Sequence, residues 1–523
     1  MPDAAFDAPA TLAPAELPSS LFAVDTTATL RAATFAYASA ETRTASGTAI
    51  AWPPRILSDV VIEQQAMDGL GLGGALALSA SDIELADADL WSSDLDRYDT
   101  AIGRSATVRL VTATAPQATD LGTHWLDAPT GFSGVVRSIR RAPGQVARIA
   151  LSDLTERLNT PLQPTLYSGA GGTEGGAELA GRPKPVCLGQ CWNVPAVFLG
   201  NVDLGVGSLP TYQVHWRGVE AIDTVSIRGV AQSLVGGTPI TGEARVFNAQ
   251  GLFQLGASPD GEVRADVRGD NTGTFASTTA AVLDRLLQSL GANFTAEELD
   301  SVAWAQAETD LPGTVGFFQG AEPTAASLAV QQICAGSGCV VAGGRAGQIR
   351  IFDPITAGTS QFTIPAEWVI EAAPVDLPAA LRPLPIAVRI AWQRNWGPFT
   401  GAAGSVAAAD RQRLESGEPS LARAAASQTQ GRVALQRTMD LPGLYYTQEG
   451  ALARATRWAS WVDAGPRAVR IITDRYLGQI ELGHVGTVSY SAYGLDAGFT
   501  GTVMAWRESF GARRIEITLV GIS

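Results

Sequence analysis

Cys187, Cys191, Cys334 and Cys339 are the only cysteines of this 523-residue chain, and His124, His215 and His484 are its only histidines. Thiolate, imidazole and soft-metal chemistry must therefore use these positions. Cys187-x3-Cys191 and Cys334-x4-Cys339 offer four sulfur ligands of the kind that hold zinc or an iron–sulfur cluster. Their spacings miss the usual C-x2-C knuckle. Two buried structural pairs are the simpler expectation, because a free cysteine packs as a small hydrophobe. No histidine stands in a metal-binding or triad motif, and no G-x-S-x-G elbow presents a serine nucleophile. His484 lies beside glycines in a strand-like run and reads as a surface or strand histidine.

Other groupings fail for stated reasons. Asp82, Asp87, Asp89, Asp94, Asp96 and Asp99 crowd the stretch Ser81 to Asp99. Calcium favours several carboxylates, but this run lacks the EF-hand glycine and final glutamate. Aspartates capping their own turn are expected instead. Gly69-x-Gly71-x-Gly73-Gly74 touches the dinucleotide fingerprint, yet leads into Ala75-Leu76-Ala77-Leu78, a strand-like run and not a phosphate-binding helix. The loop Ser168 to Gly176 has no G-K-[ST], and Arg268-Gly269-Asp270 reads as a turn. The twelve tryptophans, including Trp91, Trp125, Trp192, Trp216, Trp392, Trp458 and Trp461, read as core or interface anchors before a sugar platform. With 51 acidic residues, no glycosidase pair can be singled out. No catalytic, cofactor-binding or metal-binding residue is assigned, and a non-enzyme without a cofactor is expected.

The elements around these residues are mostly strands. Hydrophobic residues make up 46% and charged residues 17%, the balance of a folded chain. The 56 glycines cut the sequence into short segments, which favours strands over long helices. A net charge of −14 repels phosphate and argues against wrapping duplex nucleic acid. Lys184 is the only lysine, so nearly all cations are arginine. No apolar run approaches the roughly 20 residues that span a bilayer, so no membrane anchor is expected. The first twenty residues lack a basic, apolar leader pattern, which leads us to expect assembly in a bacterial cytoplasm.

Helical signals cluster in the centre. Ser277 or Thr278 caps a helix carrying Val282, Leu283, Leu286, Leu287 and Leu290, stopped by Gly291. Thr295-Ala296-Glu297-Glu298 is a capping box for a second short helix, and a third runs from Thr324 to about Cys334. A hairpin turns through Gly343-Gly344-Arg345-Ala346-Gly347. The polar run Gly401 to Gln430 reads as a loop or lid-like excursion. A helix from about Gln448 to Asp463 shows the stripe Leu452, Ala455, Ala459 and Val462, with Arg454 and Arg457 off that face. These signals divide the chain into an arm (1–20), a β unit (21–165), a β-rich connector (166–238), an α+β insertion (239–355) and a closing β unit with one helix (356–523). The expected class is mainly β with an α+β insertion, in several domains.

The closing stretch, Gly478 to Ser523, reads as three strands: Gln479 to Val488, Phe499 to Arg507 and Arg514 to Val520. The last alternates cleanly, with Ile515, Ile517 and Leu519 on one face and Arg514, Glu516 and Thr518 on the other. That polar face is a candidate channel lumen or subunit interface.

Three blocks, taken together, resemble the tail-hub and baseplate proteins of long-tailed bacteriophages and gene transfer agents. They are Leu76 to Leu110 (LALSASDIELADADLWSSDLDRYDTAIGRSATVRL), Gly175 to Val197 (GGAELAGRPKPVCLGQCWNVPAV) and the closing stretch. The resemblance implies a tail-tip hub of tail-tube-like β-barrels or sandwiches, with 21–165 as the N-terminal barrel and 356–523 as the C-terminal one. It implies a homotrimer that caps the tail tube and carries fibres or a spike. The implied neighbours are the tail-tube or distal tail protein, the tape-measure protein and fibre or spike proteins, with genome DNA passing without specific binding. The implied location is the virion tail. A carbohydrate-binding tail adhesin and a cell-wall polysaccharide hydrolase are the alternative readings.

Overall fold

The computed structural model describes residues 18–24, 30–33, 37–40, 49–52, 55–58, 60–67, 74–76, 79–80, 82–86, 102, 104–112, 130–356, 358–475, 480–509, 512 and 514–522. Residues 1–17 of the arm, the glycine run before Gly74, the acidic run from Asp87 to Asp99, and His124, Trp91 and Trp125 lie outside these residues. Among the described residues the protein is mainly β, with strands gathered into several sheets and a smaller share of helix. Among the described residues, no helix is long and apolar enough to cross a membrane.

A six-stranded sheet runs in the order Leu30–Ala33, Pro18–Val24, Ser105–Thr112, Thr130–Ala142, Val146–Ser152, Ile83–Ala86. Next comes a sandwich. One sheet orders Val230–Ala231, Val219–Ile227, Val263–Asp270, Val186–Pro195 and Gly316–Gln319. The other orders Val197–Asp203, Ser208–Gln213, Leu252–Leu255, Glu243–Phe247 and Ser233–Leu234. Val194, Ile222 and Val267 from the first meet Tyr212, Phe253 and Leu255 from the second in one core.

The centre is helical where the caps predict. Helix α1 spans Thr279–Ser289, with Thr278 Oγ1 accepting from the Ala281 N–H at 3.2 Å. The capping box forms at Thr295 and Glu298, but encloses only one 3-10 turn, Ala296–Glu298. The helix itself, α2 (Ser301–Asp310), starts afresh from Asp300, whose carboxylate accepts from the Val302 and Ala303 N–H groups. Helix α3 spans Ala326–Ser337 and ends at Gly338, whose φ of 70° is the left-handed cap that glycine adopts freely. The hairpin Val340–Gly343 and Ile349–Phe352 follows, and Gly74–Leu76 pairs parallel to its first strand.

The last region holds two sheets. Ser420–Ala425, Ala387–Trp392 and Thr438–Tyr445 form a three-stranded sheet. The expected excursion from Gly401 to Gln430 thus contains helix α4 (Ala408–Glu415), an edge strand and helix α5 (Ser427–Arg432). The strand is SLARAA, whose alanines hide the period-two signal while burying Ala422 and Ala424. Helix α6 spans Gln448–Asp463, as the sequence predicts, and is capped by Thr447, which accepts from the Gly450 N–H.

The largest sheet curls into half a barrel. Its order is Phe362–Ile364, Val485–Val488, Phe499–Ser509, Arg514–Gly521, Arg467–Thr473, Val369–Val375. The expected strand from Gln479 is shorter, because Gly483 turns the chain at φ 83° and a Cβ there would meet the Phe352 ring. Where Val485–Val488 stops, Val61–Gln65 takes its place against Ala505 to Ser509, after a break in register at Val503/Ala505. A strand from early in the chain is thereby sewn into the closing sheet, with Ile62 fully buried. Ile62→Ala should lower stability by about 2–4 kcal/mol, seen as a lower urea midpoint. If the midpoint stays unchanged, this strand does not belong to the closing sheet.

Candidate interaction face and the buried charges behind it

Side chains of directly paired residues share a face of an antiparallel sheet. Glu516 pairs with Arg507 on one side and Ile472 on the other, and Thr518 pairs with Ala505 and Arg470. The result is a ribbon of alternating charge across five neighbouring strands: Glu63, Arg507, Glu516, Arg470, Glu371. The contacts are Arg507–Glu63 at 3.4 Å, Arg470–Glu516 at 3.7 Å and Arg470–Glu371 at 2.8 Å. Arg514 is exposed beyond the end of the ribbon, Glu516 is half-buried in it, and Thr518 is closed in at 7% exposure. The structure thus places Glu516 beside Arg470 and Arg507, in a ribbon continued by Glu371 and Glu63, and leaves Arg514 and Thr518 in different environments. Exposed pairs of this kind contribute about 0–1 kcal/mol each, so the ribbon adds little to folding and leaves polar groups available for a contact.

The opposite face of the same sheet covers a buried cation. Arg345, inside the expected glycine turn, is 2% exposed. Its guanidinium pairs with the buried Glu508, donates from Nε to Ile480 O at 3.0 Å, and stacks 3.7 Å above the Trp506 ring. Its own N–H donates to Glu481 Oε1 at 2.7 Å, and Gln64 Nε2 donates to Gly343 O at 2.9 Å. Burial raises the Glu481 pKa, against the pull of Arg350 and Arg345. His484 belongs to this junction and is not a surface or strand residue. Arg350 Nη1 donates to its Nε2 at 2.9 Å, and burial, then Arg350 and Arg345, push its pKa well below 6.5.

A second buried cation corrects the expected face of α6. Leu452 is exposed, whereas Arg454 is buried beside Ala451, Ala455, Trp458 and Val462. Arg454 grips Asp353 in a two-pronged pair, Nη1–Oδ2 at 2.7 Å and Nη2–Oδ1 at 2.8 Å, and donates to the carbonyls of Ser337 and Gly338 that end α3. Burial raises the Asp353 carboxyl, but Arg454 outweighs it and holds the pKa below the ordinary range. Cys334 and Cys339 lie here, with Ser337 Oγ 3.2 Å from Cys339 Sγ.

Cys187 and Cys191 occupy the separate sandwich core, so the four thiols do not converge on one centre. In that core the sequence missed a buried histidine–aspartate pair. The Cys187 N–H donates to His215 Nδ1 at 3.0 Å, so the ring proton sits on Nε2, which donates to Asp270 at 3.1 Å. Both ring nitrogens are committed, and Arg217 and Arg285 also hold Asp270. Burial favours a neutral Asp270 carboxyl, yet the bonds from His215, Arg217 and the Thr272 N–H hold its pKa far below the carboxylate range. Arg268-Gly269-Asp270 is therefore the end of a strand, not a turn, and its aspartate is inaccessible. Nothing local signals this cluster, because Asp270 lies 55 residues from His215. Lys184 is spent on Glu174 at 2.6 Å, over the Tyr167 ring. The tryptophans whose side chains are described are buried or half-buried and make no exposed platform.

Two outcomes test these charges. Asp353→Ala leaves Arg454 unpaired in the core and should cost about 3–5 kcal/mol, while Asp353→Leu with Arg454→Met should recover most of it. Both are read by chemical denaturation, and a mild single variant would contradict the buried pair. His484 binds its proton more weakly folded than unfolded, so its contribution is complete above about pH 6.5 and is lost as pH falls below that. Glu481 has the opposite sign, so the informative quantity is the difference from His484→Asn. Wild type should lose stability relative to that variant between pH 7 and pH 5, and parallel curves would show that His484 does not titrate in this junction.

No family model matches the chain, and no curated protein matches it. Among solved structures it is similar to the 43 kDa tail protein of prophage MuSo2 from Shewanella oneidensis, with 8% identity, 96% of each chain covered and a TM-score of 0.39. It is similar to a chain of the virion of a native gene transfer agent particle, at 13% identity over 71% of this chain and 91% of that one, with a TM-score of 0.44. It is also similar to the tail protein from Neisseria meningitidis MC58, at 10% identity, 96% of each chain and a TM-score of 0.38. These scores leave a shared topology unfixed.

Proposed function

We propose that this chain is a structural subunit of a bacteriophage-type tail tip: a hub that caps the tail tube as a ring of copies and anchors fibres or a spike. The observation that carries this reading is where the three resembling blocks fall. Leu76 to Leu110 supplies Ser105–Thr112, an interior strand of the six-stranded sheet. Gly175 to Val197 supplies Val186–Pro195, interior to the first sandwich sheet. The closing stretch supplies Phe499–Ser509 and Arg514–Gly521, at the middle of the largest sheet. Each block thus supplies at least one strand interior to a β-sheet.

Two further features support an assembly role. Among the described residues the largest sheet ends in the strands Phe362–Ile364 and Val369–Val375, and an open edge is a surface that a neighbouring subunit can cover. Among the described residues, His215, Asp270 and the four cysteines are buried within their own cores. In this reading the neighbours are the tail-tube or distal tail protein, the tape-measure protein and fibre or spike proteins. The acidic charge lets genome DNA pass without adhering.

Negative-stain imaging and mass photometry of the purified protein should show a three-fold ring with a central hole. The same protein should join purified tube protein and leave a cell-wall preparation undigested. A monomer that ignores tube protein, or one that releases wall fragments, would contradict the hub.

A further inference from the structure

The most concentrated positive charge in this acidic chain is a β-hairpin. Residues 137–148 read Arg-Ser-Ile-Arg-Arg-Ala-Pro-Gly-Gln-Val-Ala-Arg, four arginines and no acid. With a total of −14, the remaining chain carries −14 − 4 = −18. Arg137, Arg140, Arg141 and Arg148 are all exposed. Arg140 and Arg148 stand directly opposite each other across the strands, an arrangement that costs stability unless an anion lies between them. Arg148 leans on Glu84 at 2.7 Å. At the tip, a Cβ on Gly144 would meet nothing within 4 Å, so the tip stands clear of the described chain.

A complementary segment lies more than 200 residues further along the sequence. Residues 365–376 read Pro-Ala-Glu-Trp-Val-Ile-Glu-Ala-Ala-Pro-Val-Asp, three acids and no base. They include Val369–Val375, the outermost strand of the largest sheet, with Ile370 exposed on it. Glu367 is exposed, and Glu371 and Asp376 are 52% and 77% exposed. Their pairs, Glu371 with Arg470 and Asp376 with Arg382, are surface pairs of small worth that a stronger partner can displace.

We propose that the arginine hairpin of one copy docks on the acidic Val369–Val375 edge of a second copy. The two patches are different surfaces of one chain, so the contact is head-to-tail, the kind that closes into a ring. A second copy is favoured over nucleic acid because the other −18 charges repel a phosphate backbone, while the complementary edge is carried by every copy. This contact rests on the ring proposed above and names the surfaces that close it.

The test is a charge swap in the full-length protein, read by mass photometry at low salt and at ~0.5 M salt, where charges are screened beyond a few Å. Wild type should assemble at low salt and weaken at high salt. The triple variant R137E/R140E/R141E and the triple variant E367R/E371R/D376R should each associate roughly tenfold more weakly or worse. The two triples together, in one chain, should restore assembly. Circular dichroism confirms that each variant is folded. If wild type assembles and either folded triple assembles equally well, or the combined swap fails to recover, the contact is wrong and the ring stands. If wild type is monomeric at every salt, the ring and the contact both fall. Binding of a short duplex DNA that the hairpin triple abolishes would make the partner nucleic acid and overturn the proposal.

Discussion

The burial of the Arg345 guanidinium is the constraint on which the described architecture most depends. A cation cannot be left unpaired in an apolar interior, so everything around it must be in place together. Glu508 comes from the closing sheet, Glu481 and the Ile480 carbonyl from the turn before it, and Trp506 supplies a ring face. Gln64 holds the same hairpin through Gly343, from a strand early in the chain. Segments more than 400 residues apart in sequence thus meet at one hairpin. Arg454 and Asp353 repeat the device between α6 and the end of α3. Buried pairs of this kind add little net stability over apolar residues of the same shape, but breaking one is costly. Their effect is to make one arrangement of the layers far better than any slipped one.

That arrangement explains which features the sequence revealed. Caps act within a few residues, so Thr278 sets the start of α1 as its local chemistry requires. The final strand alternates because one of its faces is buried by neighbours on both sides. Arg454 was misplaced for a physical reason. Hydropathy assigns an arginine to solvent, and only the distant Asp353 gives it an interior partner. Arg345 was hidden in the same way, inside a glycine-rich run that looks like any exposed turn. Ser420–Ala425 escaped notice because alanine marks neither a strand nor a face. The His215–Asp270 pair, the entry of Val61–Gln65 into the closing sheet and the alternating ribbon around Glu516 are all products of long-range pairing. No local signal carries them.

Among the described residues, the histidine–aspartate pair and the cysteines lie inside the molecule, whereas charged side chains line sheet surfaces and edges. His215, Asp270, Asp353 and the cysteines serve the cores. The ribbon from Glu63 to Glu371, the arginine hairpin and the acidic edge strand serve the outside. This division is what a subunit needs when its work is to be held by neighbours: a rigid interior, fixed by buried charge, that presents polar surfaces in a set geometry.

Location in a particle tests the central claim most directly. Tail particles from cells that make this protein, labelled with an antibody against it and viewed by electron microscopy, would show the label at the distal tip of the tail if the chain is a hub. Label along the shaft, at the head, or absent from purified tails would contradict the account.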